Sequence, residues 1–306
     1  MPGKQLIQPL VICCVSLIAG FLCLYAAVFM SPINYDSLAT ILSPIYLKKD
    51  LVLPIFSAAN PLFTIRLVTA MGIVLIPGAI VYYKSGYTKI RLIRFGFSII
   101  LGTKALHLLV YLVFILLNLL VKNIGFDFIW HRSPDLLISA FWVWYAYQVL
   151  VVLSQTQCLS TIHLLTAEGT QEVLASAPKN QRFAHFVLDS LLIAIIAAPP
   201  VAEVLIPLAG PLPGRILTVV SATMLYYVSF ENQFGASPAK FLTDTQVVDA
   251  SGGKASLRTI LMRSLYRLIP LECISYLRSD KDGMHDAWSD TYVVKTEPDN
   301  TNNKQH

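Results

Sequence analysis

Six apolar runs, near residues 6–30, 62–83, 95–121, 135–154, 183–209 and 214–230, dominate this chain. A helix needs about 20 apolar residues to cross the hydrocarbon core of a bilayer, and a soluble fold has little use for so many runs of that length. Of the 306 residues, 55% are hydrophobic and only 13% charged; an average soluble chain carries about 25% charged residues. The pattern predicts an all-α polytopic membrane protein with about six transmembrane helices, and it excludes a disordered chain. The first run follows Met-Pro-Gly-Lys but continues well past the length of a signal-peptide core. Tyr25 to Met30 offers no small-x-small cleavage site, so the run reads as an uncleaved anchor.

The distribution of basic residues orients the spans. With both termini in the cytoplasm, the inner segments hold 16 of the 23 Lys and Arg and the outer ones five. The net charge of +5 is then an orientation signal, since no basic run with interleaved aromatics is present to bind nucleic acid. Cys13, Cys14, Cys23, Cys158 and Cys273 lie mostly in or beside apolar runs, without CxxC or His-linked spacing. They read as packing residues, and no metal or other cofactor is expected. The polar stretch 156–181 divides a four-span region, 1–155, from a two-span region, 182–295, followed by a disordered tail, 296–306.

Ionisable residues inside apolar runs are the candidate functional groups. On a helix, Asp189 lies about 20° from Arg182 and two turns deeper, with His185 about 60° away on the same side. At about 10 Å depth Asp189 needs a partner, a proton or water. The stripe is therefore either a structural ion pair or a site that handles an ion. In the third run Lys104, His107, Tyr111 and Asn118 share one narrow arc, facing the bundle interior or lining a proton path. Glu203 follows Pro199-Pro200, which are expected to break the fifth span and free carbonyls beside an acid, as cation transporters do.

The tail carries two β-branched segments, Asp244-Thr245-Gln246-Val247-Val248 and Asp290-Thr291-Tyr292-Val293-Val294, expected to form a short cytoplasmic two-strand element. The first ends at the turn signal Asp249-Ala250-Ser251-Gly252-Gly253. Between the strands, residues 257–277 have helical apolar spacing, with Arg263 and Arg267 one turn apart. An amphipathic helix in the inner headgroup layer, its Arg263 face toward water, fits better than a seventh span. It would return His285 and Asp286 to the membrane surface. Asp286 would pair there with Arg182 or Arg263, and one arginine, Arg182, would be shared between Asp189 and Asp286.

The order of these pieces resembles the RDD family of prokaryotic membrane proteins over about 180–295. Arg182 and Asp189 match its opening arginine and aspartate, with Ala184 displaced by one position. Ser237-Pro238-Ala239-Lys240 is similar to its Thr/Ser-x-Gly-Lys element, with Ala239 standing where the family has glycine. Val247-Val248-Asp249, Gly252-Gly253, and Arg263 and Arg267 ahead of Pro270 follow in order. His285-Asp286 through Thr291 to Val294 resembles the closing His-Asp-x-x-[Ser/Ala]-x-Thr-x-Val-Val. The resemblance implies a helical fold in a prokaryotic inner membrane, transport as the suggested role, and Arg182, Asp189 and Asp286 as the named positions.

Two functions from different classes follow. One is a transporter or a cation/proton exchange component using Arg182, His185, Asp189, Asp286, His285, Lys104, His107 and Glu203. The other is a non-catalytic scaffold whose tail docks a second copy or another membrane protein. An enzyme with His285 and Asp286 as acid–base pair lacks any nucleophile motif. The expected partners are the lipid bilayer and a small cation or proton, with no nucleic acid.

Overall fold

The computed structural model describes residues 74–86, 88–121, 126–155, 157–166, 169–269, 286 and 288–298. The run 6–30, most of the run 62–83, four of the cysteines, His285, the second half of the 257–277 helix and the tail from 299 lie outside the described residues. The described chain begins with α1 (Val74–Lys84). The next helices are α2 (Arg91–Val121) and α3 (Phe126–Ser154), which pack against each other as an antiparallel pair. Ile93, Phe97 and Ile100 of α2 and Val149, Leu150 and Leu153 of α3 are buried between them.

The fifth apolar run folds as one continuous helical rod. It comprises α4 (Lys179–Leu192), a π-helical turn (Ile193–Ala197) and α5 (Ala198–Ala209). Pro199-Pro200 therefore do not break the span. They follow directly on the π-helical turn, whose wider winding accommodates the proline rings within the continuous rod. Gly210, at φ 85°, turns the chain into α6 (Pro211–Phe234). The hairpin is tight: a Cβ on Gly214 would stand 2.6 Å from the Ile206 Cα.

Among the described residues two helices, Arg91–Val113 within α2 and Lys179–Ala209, are long and apolar enough to cross a membrane. Their outward faces fit that solvent. Phe183, Val187, Leu191 and Ile195 recur every fourth residue and are 44–60% exposed, while Arg182, His185 and Asp189 on the other face are buried. A soluble helix has the opposite polarity.

At the end where α2 and α4 begin and α3 and α6 finish, the chain forms a small α/β cap. Gly235 (φ 67°) ends α6 in a left-handed cap, and a Cβ there would meet the Gln246 side chain at 2.6 Å. Then come α7 (Pro238–Leu242), β4 (Thr245–Asp249), α8 (Leu257–Tyr266) and β5 (Thr291–Pro298). β4 and β5 pair antiparallel as the repeated Asp-Thr-x-Val-Val pattern predicts, with Val247 opposite Val293. Asp249 accepts the backbone N–H groups of Ser251 and Gly253, each at 2.9 Å, and closes the expected turn.

The all-α expectation and the linker need correction. The stretch 156–181 holds β1 (Gln157–Leu159), β2 (Thr161–Thr166) and β3 (Gly169–Leu174). β1 joins the other edge of β5, giving a three-stranded sheet in the order β1-β5-β4, and β2 and β3 form their own hairpin. β1 was hidden because its partner, β5, lies almost 140 residues later.

Candidate functional site

Three buried acids organise the junction between the helices and the cap. Glu231 sits in the last turn of α6, beyond the apolar run, and is fully enclosed. Its Oε1 accepts from Lys240 Nζ at 2.8 Å and Arg267 Nη2 at 2.9 Å. Arg263 Nε stands 3.3 Å from Oε2, a charge contact without hydrogen-bond geometry. Burial alone would raise the Glu231 carboxyl, but Arg267, Lys240 and Arg263 outweigh it and hold it below the usual carboxylate range. The Arg267 guanidinium also lies 3.8 Å from the centre of the Tyr227 ring.

Asp286 is the second acid. It accepts from Arg182 Nη1 at 3.2 Å through Oδ2 and from Arg263 Nη1 through Oδ1. The remaining Arg182 donors reach the Ala177 carbonyl at 3.0 Å and Ser176 Oγ at 2.8 Å, fixing the start of α4 to the cap. Arg263 Nη1 also donates to Thr291 Oγ1. Arg263, with no exposed surface, thus stands between Glu231 and Asp286.

Asp189 is held differently. Tyr226 donates its hydroxyl to Oδ1 at 2.7 Å, Ser237 donates to Oδ2 at 2.6 Å, and the Ala239 N–H reaches Oδ1 at 3.2 Å. Among the described residues no cation forms an ion pair with Asp189, so the expected sharing of Arg182 between Asp189 and Asp286 is overturned. Instead one acid, Asp286, is shared by two arginines. Lys240 Nζ lies 3.2 Å from Ser237 Oγ, which completes a hydrogen-bonded line Glu231–Lys240–Ser237–Asp189–Tyr226. Ala239 is helical with negative φ, so the site where the family has glycine demands no special backbone here.

His185 Nε2 lies 2.5 Å from Thr243 Oγ1, and its Nδ1 is buried without a hydrogen-bond partner. A polar cavity of about 20 Å³, enough for one water-sized particle, is walled by Arg182, His185, Asp189, Lys240, Arg263 and Asp286, among others. A larger cavity of about 310 Å³ lies among α2, α4 and α6, mostly apolar, with Tyr226 in its wall. Asp189 stands on the wall of the first cavity and accepts from Tyr226, whose ring lines the second.

A separate cluster ties α2 to the cap. Asp244, at φ 48°, pairs with Arg91 and lies 3.7 Å from Arg94, which packs over the Phe241 ring at 4.4 Å. Gln157 bridges Arg94 and Asp244.

Residues 177–290 match the RDD family. This segment is an RDD domain. The family is membrane-associated, in keeping with the two apolar spans and their outward faces. No curated protein and no solved structure matches the chain.

The RDD domain gathers Arg182, His185, Asp189 and Asp286 at one site, as their helical stripe and the tail's return predict. Lys104, His107 and Glu203 do not line its cavity. Lys104 and His107 are half-buried on α2, where the His107 and Tyr111 rings stack at 6.5 Å, and Glu203 is half-buried on α5. Asn118 and His285 fall outside the described side chains. Arg263 is corrected most sharply. It points inward, while Leu257, Arg258, Leu261, Met262 and Leu265 of α8 are exposed. The leucines turn outward and the arginine finds acids inside. Glu231, Lys240 and Tyr226 complete the site without having been singled out as ionisable candidates. A lone acid in the closing turn of an apolar run was the available signal for Glu231.

Proposed function

We propose that the chain is a transport component of the membrane in which Asp189 takes up and releases a proton. The reading rests on one observation: Asp189 lines the polar cavity at the cap and accepts the hydroxyl of Tyr226, which stands on the wall of the larger apolar cavity among the helices. A buried carboxylate served only by neutral donors has two accessible forms, ionised with those donors or protonated with one of them turned to accept. Four cationic side chains around the cavity repel a bare metal ion, so among cations the proton is the species this site can accept. Among the described residues no group of three or more His, Cys, Asp or Glu is placed to hold a metal. Both termini lie in the cytoplasm in this reading, which puts the cap and its basic residues on the inner side.

Inverted vesicles carrying the wild type, Asp189→Asn or Tyr226→Phe test it. Proton flux driven by an imposed gradient should be lost in Asp189→Asn and reduced in Tyr226→Phe. Wild-type flux in a correctly inserted Asp189→Asn protein would overturn the reading. The scaffold alternative draws on the β2–β3 hairpin, which forms a sheet of its own outside the three-stranded one. It requires Asp189→Asn to keep full function and deletion of that hairpin to abolish it.

A further inference from the structure

The cavity of about 310 Å³ among the helices changes character along the direction of the spans. Both helices long enough to cross a membrane line it. Apart from Tyr226, which is committed to Asp189, its polar side chains are Ser98, Tyr147, Ser229 and Gln233. All four lie within about two turns of the helix ends at the cap. Away from the cap the wall is aliphatic, with Ala105, Leu106, Leu109, Leu192, Ile196 and Leu225. From Ser98 to Leu109 it follows α2 for about 16 Å, close to half of a roughly 30 Å hydrocarbon core. Leu109 and Leu225, at the deep end, are 42% and 39% exposed, so the cavity is open sideways. Its walls forgo dispersion contacts unless an apolar chain of that length enters.

A second cavity, of about 340 Å³, meets the first at Gln233 and Phe234, which line both. It sits where α3 and α6 end against β4 and its turn, and Gln155, Gln246 and Lys254 are in its wall. Among the described residues the side-chain amides of Gln155, Gln233 and Gln246 make no hydrogen bond, and Lys254 forms no ion pair. No Asp or Glu lines this cavity. Asp249, the acid of the neighbouring turn, is held by Ser251 and Gly253.

We infer that the two cavities together bind one anionic glycerophospholipid of the cap-side leaflet, with an acyl chain among α2, α4 and α6 and the headgroup phosphate at Lys254. A zwitterionic headgroup would bring an ammonium into a cavity with no carboxylate to receive it. The hydroxyls of a phosphatidylglycerol suit glutamine amides, which both donate and accept. Such a lipid is held whether or not Asp189 carries a proton.

Native mass spectrometry of the full chain, in detergent with equal amounts of phosphatidylglycerol and phosphatidylcholine, tests this. A one-to-one phosphatidylglycerol adduct should exceed the phosphatidylcholine adduct about fivefold, the worth of one basic residue at a membrane surface. Lys254→Glu should lose that preference. Ala105→Trp, which fills the apolar cavity, should lose the retained lipid whatever its headgroup. Lys254 is exposed, so its variant gives a readout even where Ala105→Trp fails to fold. Equal retention of the two lipids by the wild type, or an undiminished preference in Lys254→Glu, overturns the inference. So does an oxidative cross-link from Leu109→Cys to Cys13, Cys14 or Cys23 or to a second copy, which would put protein rather than lipid in the cavity.

Discussion

Glu231→Gln isolates the contact that holds the cap to the helices. The change keeps the shape of the side chain and removes the one negative charge that faces three cations, at 2.8 Å from Lys240, 2.9 Å from Arg267 and 3.3 Å from Arg263. All four side chains are at most 6% exposed, so water cannot take over the lost screening. Removing one partner of a buried pair costs about 3–5 kcal/mol, because the other charge remains unpaired. Here Arg263 retains Asp286, so Lys240 and Arg267 bear most of the loss. For a chain of this size the cost corresponds to a fall of about 6–20 °C in the apparent thermal midpoint. Unfolding in detergent at one fixed scan rate measures it. Lys240→Met placed on Glu231→Gln should recover part of the loss, with a coupling of about 0.5–3 kcal/mol. A fall of less than about 2 °C for Glu231→Gln, or strict additivity of the two changes, would refute the buried-hub account.

Three further outcomes follow from the same geometry. Because Glu231 is held below the usual carboxylate range when folded, its stabilisation is complete above the unfolded value and is lost as pH falls through the lower folded one; the wild-type midpoint should drop on acidification in that window while the Glu231→Gln midpoint changes less. Arg182→Met and Asp286→Asn should each destabilise the protein, and the double variant should be less damaged than their sum by about 0.5–3 kcal/mol, read by the same melts, since each single change strands a buried partner. A cysteine at Ser264 should resist a water-soluble thiol reagent in the folded protein and react once it is denatured, because Ser264 is 0% exposed beside Arg263; rapid labelling of the native protein would contradict the inward orientation of α8's polar face.

The stripe of Arg182, His185 and Asp189 was legible because helical periodicity is a local property, and spacings of three and four residues place them on one face. The partnership of Asp286 with Arg182 and Arg263 was legible too, once the tail was folded back to the membrane surface. Three things were not. Asp189's partners Tyr226 and Ser237 lie 37 and 48 residues downstream, so sequence offered the arginine on its own helix instead. Pro199-Pro200 signalled a break, yet a wider π-turn relieves the same clash without interrupting the rod. Arg263 was turned the wrong way because an amphipathic pattern states which faces differ, and the surrounding medium decides which of them points outward. The four-span and two-span runs became helices wherever the described residues cover them, and among the described residues two helices have the length and composition to cross a bilayer.

The family match ends at residue 290, and β5 begins at Thr291. The segment that recurs in evolution is therefore smaller than the unit that can close its own hydrogen bonds. Expressed by itself, 177–290 would leave β4 a bare edge and Arg263 without Thr291, and Asp244 would lose Arg91, Arg94 and Gln157. An unpaired strand of that kind recruits a neighbouring chain. Material trimmed to the homologous boundary would report on self-association, and the shortest span that completes the sheet runs from Gln157 to Pro298.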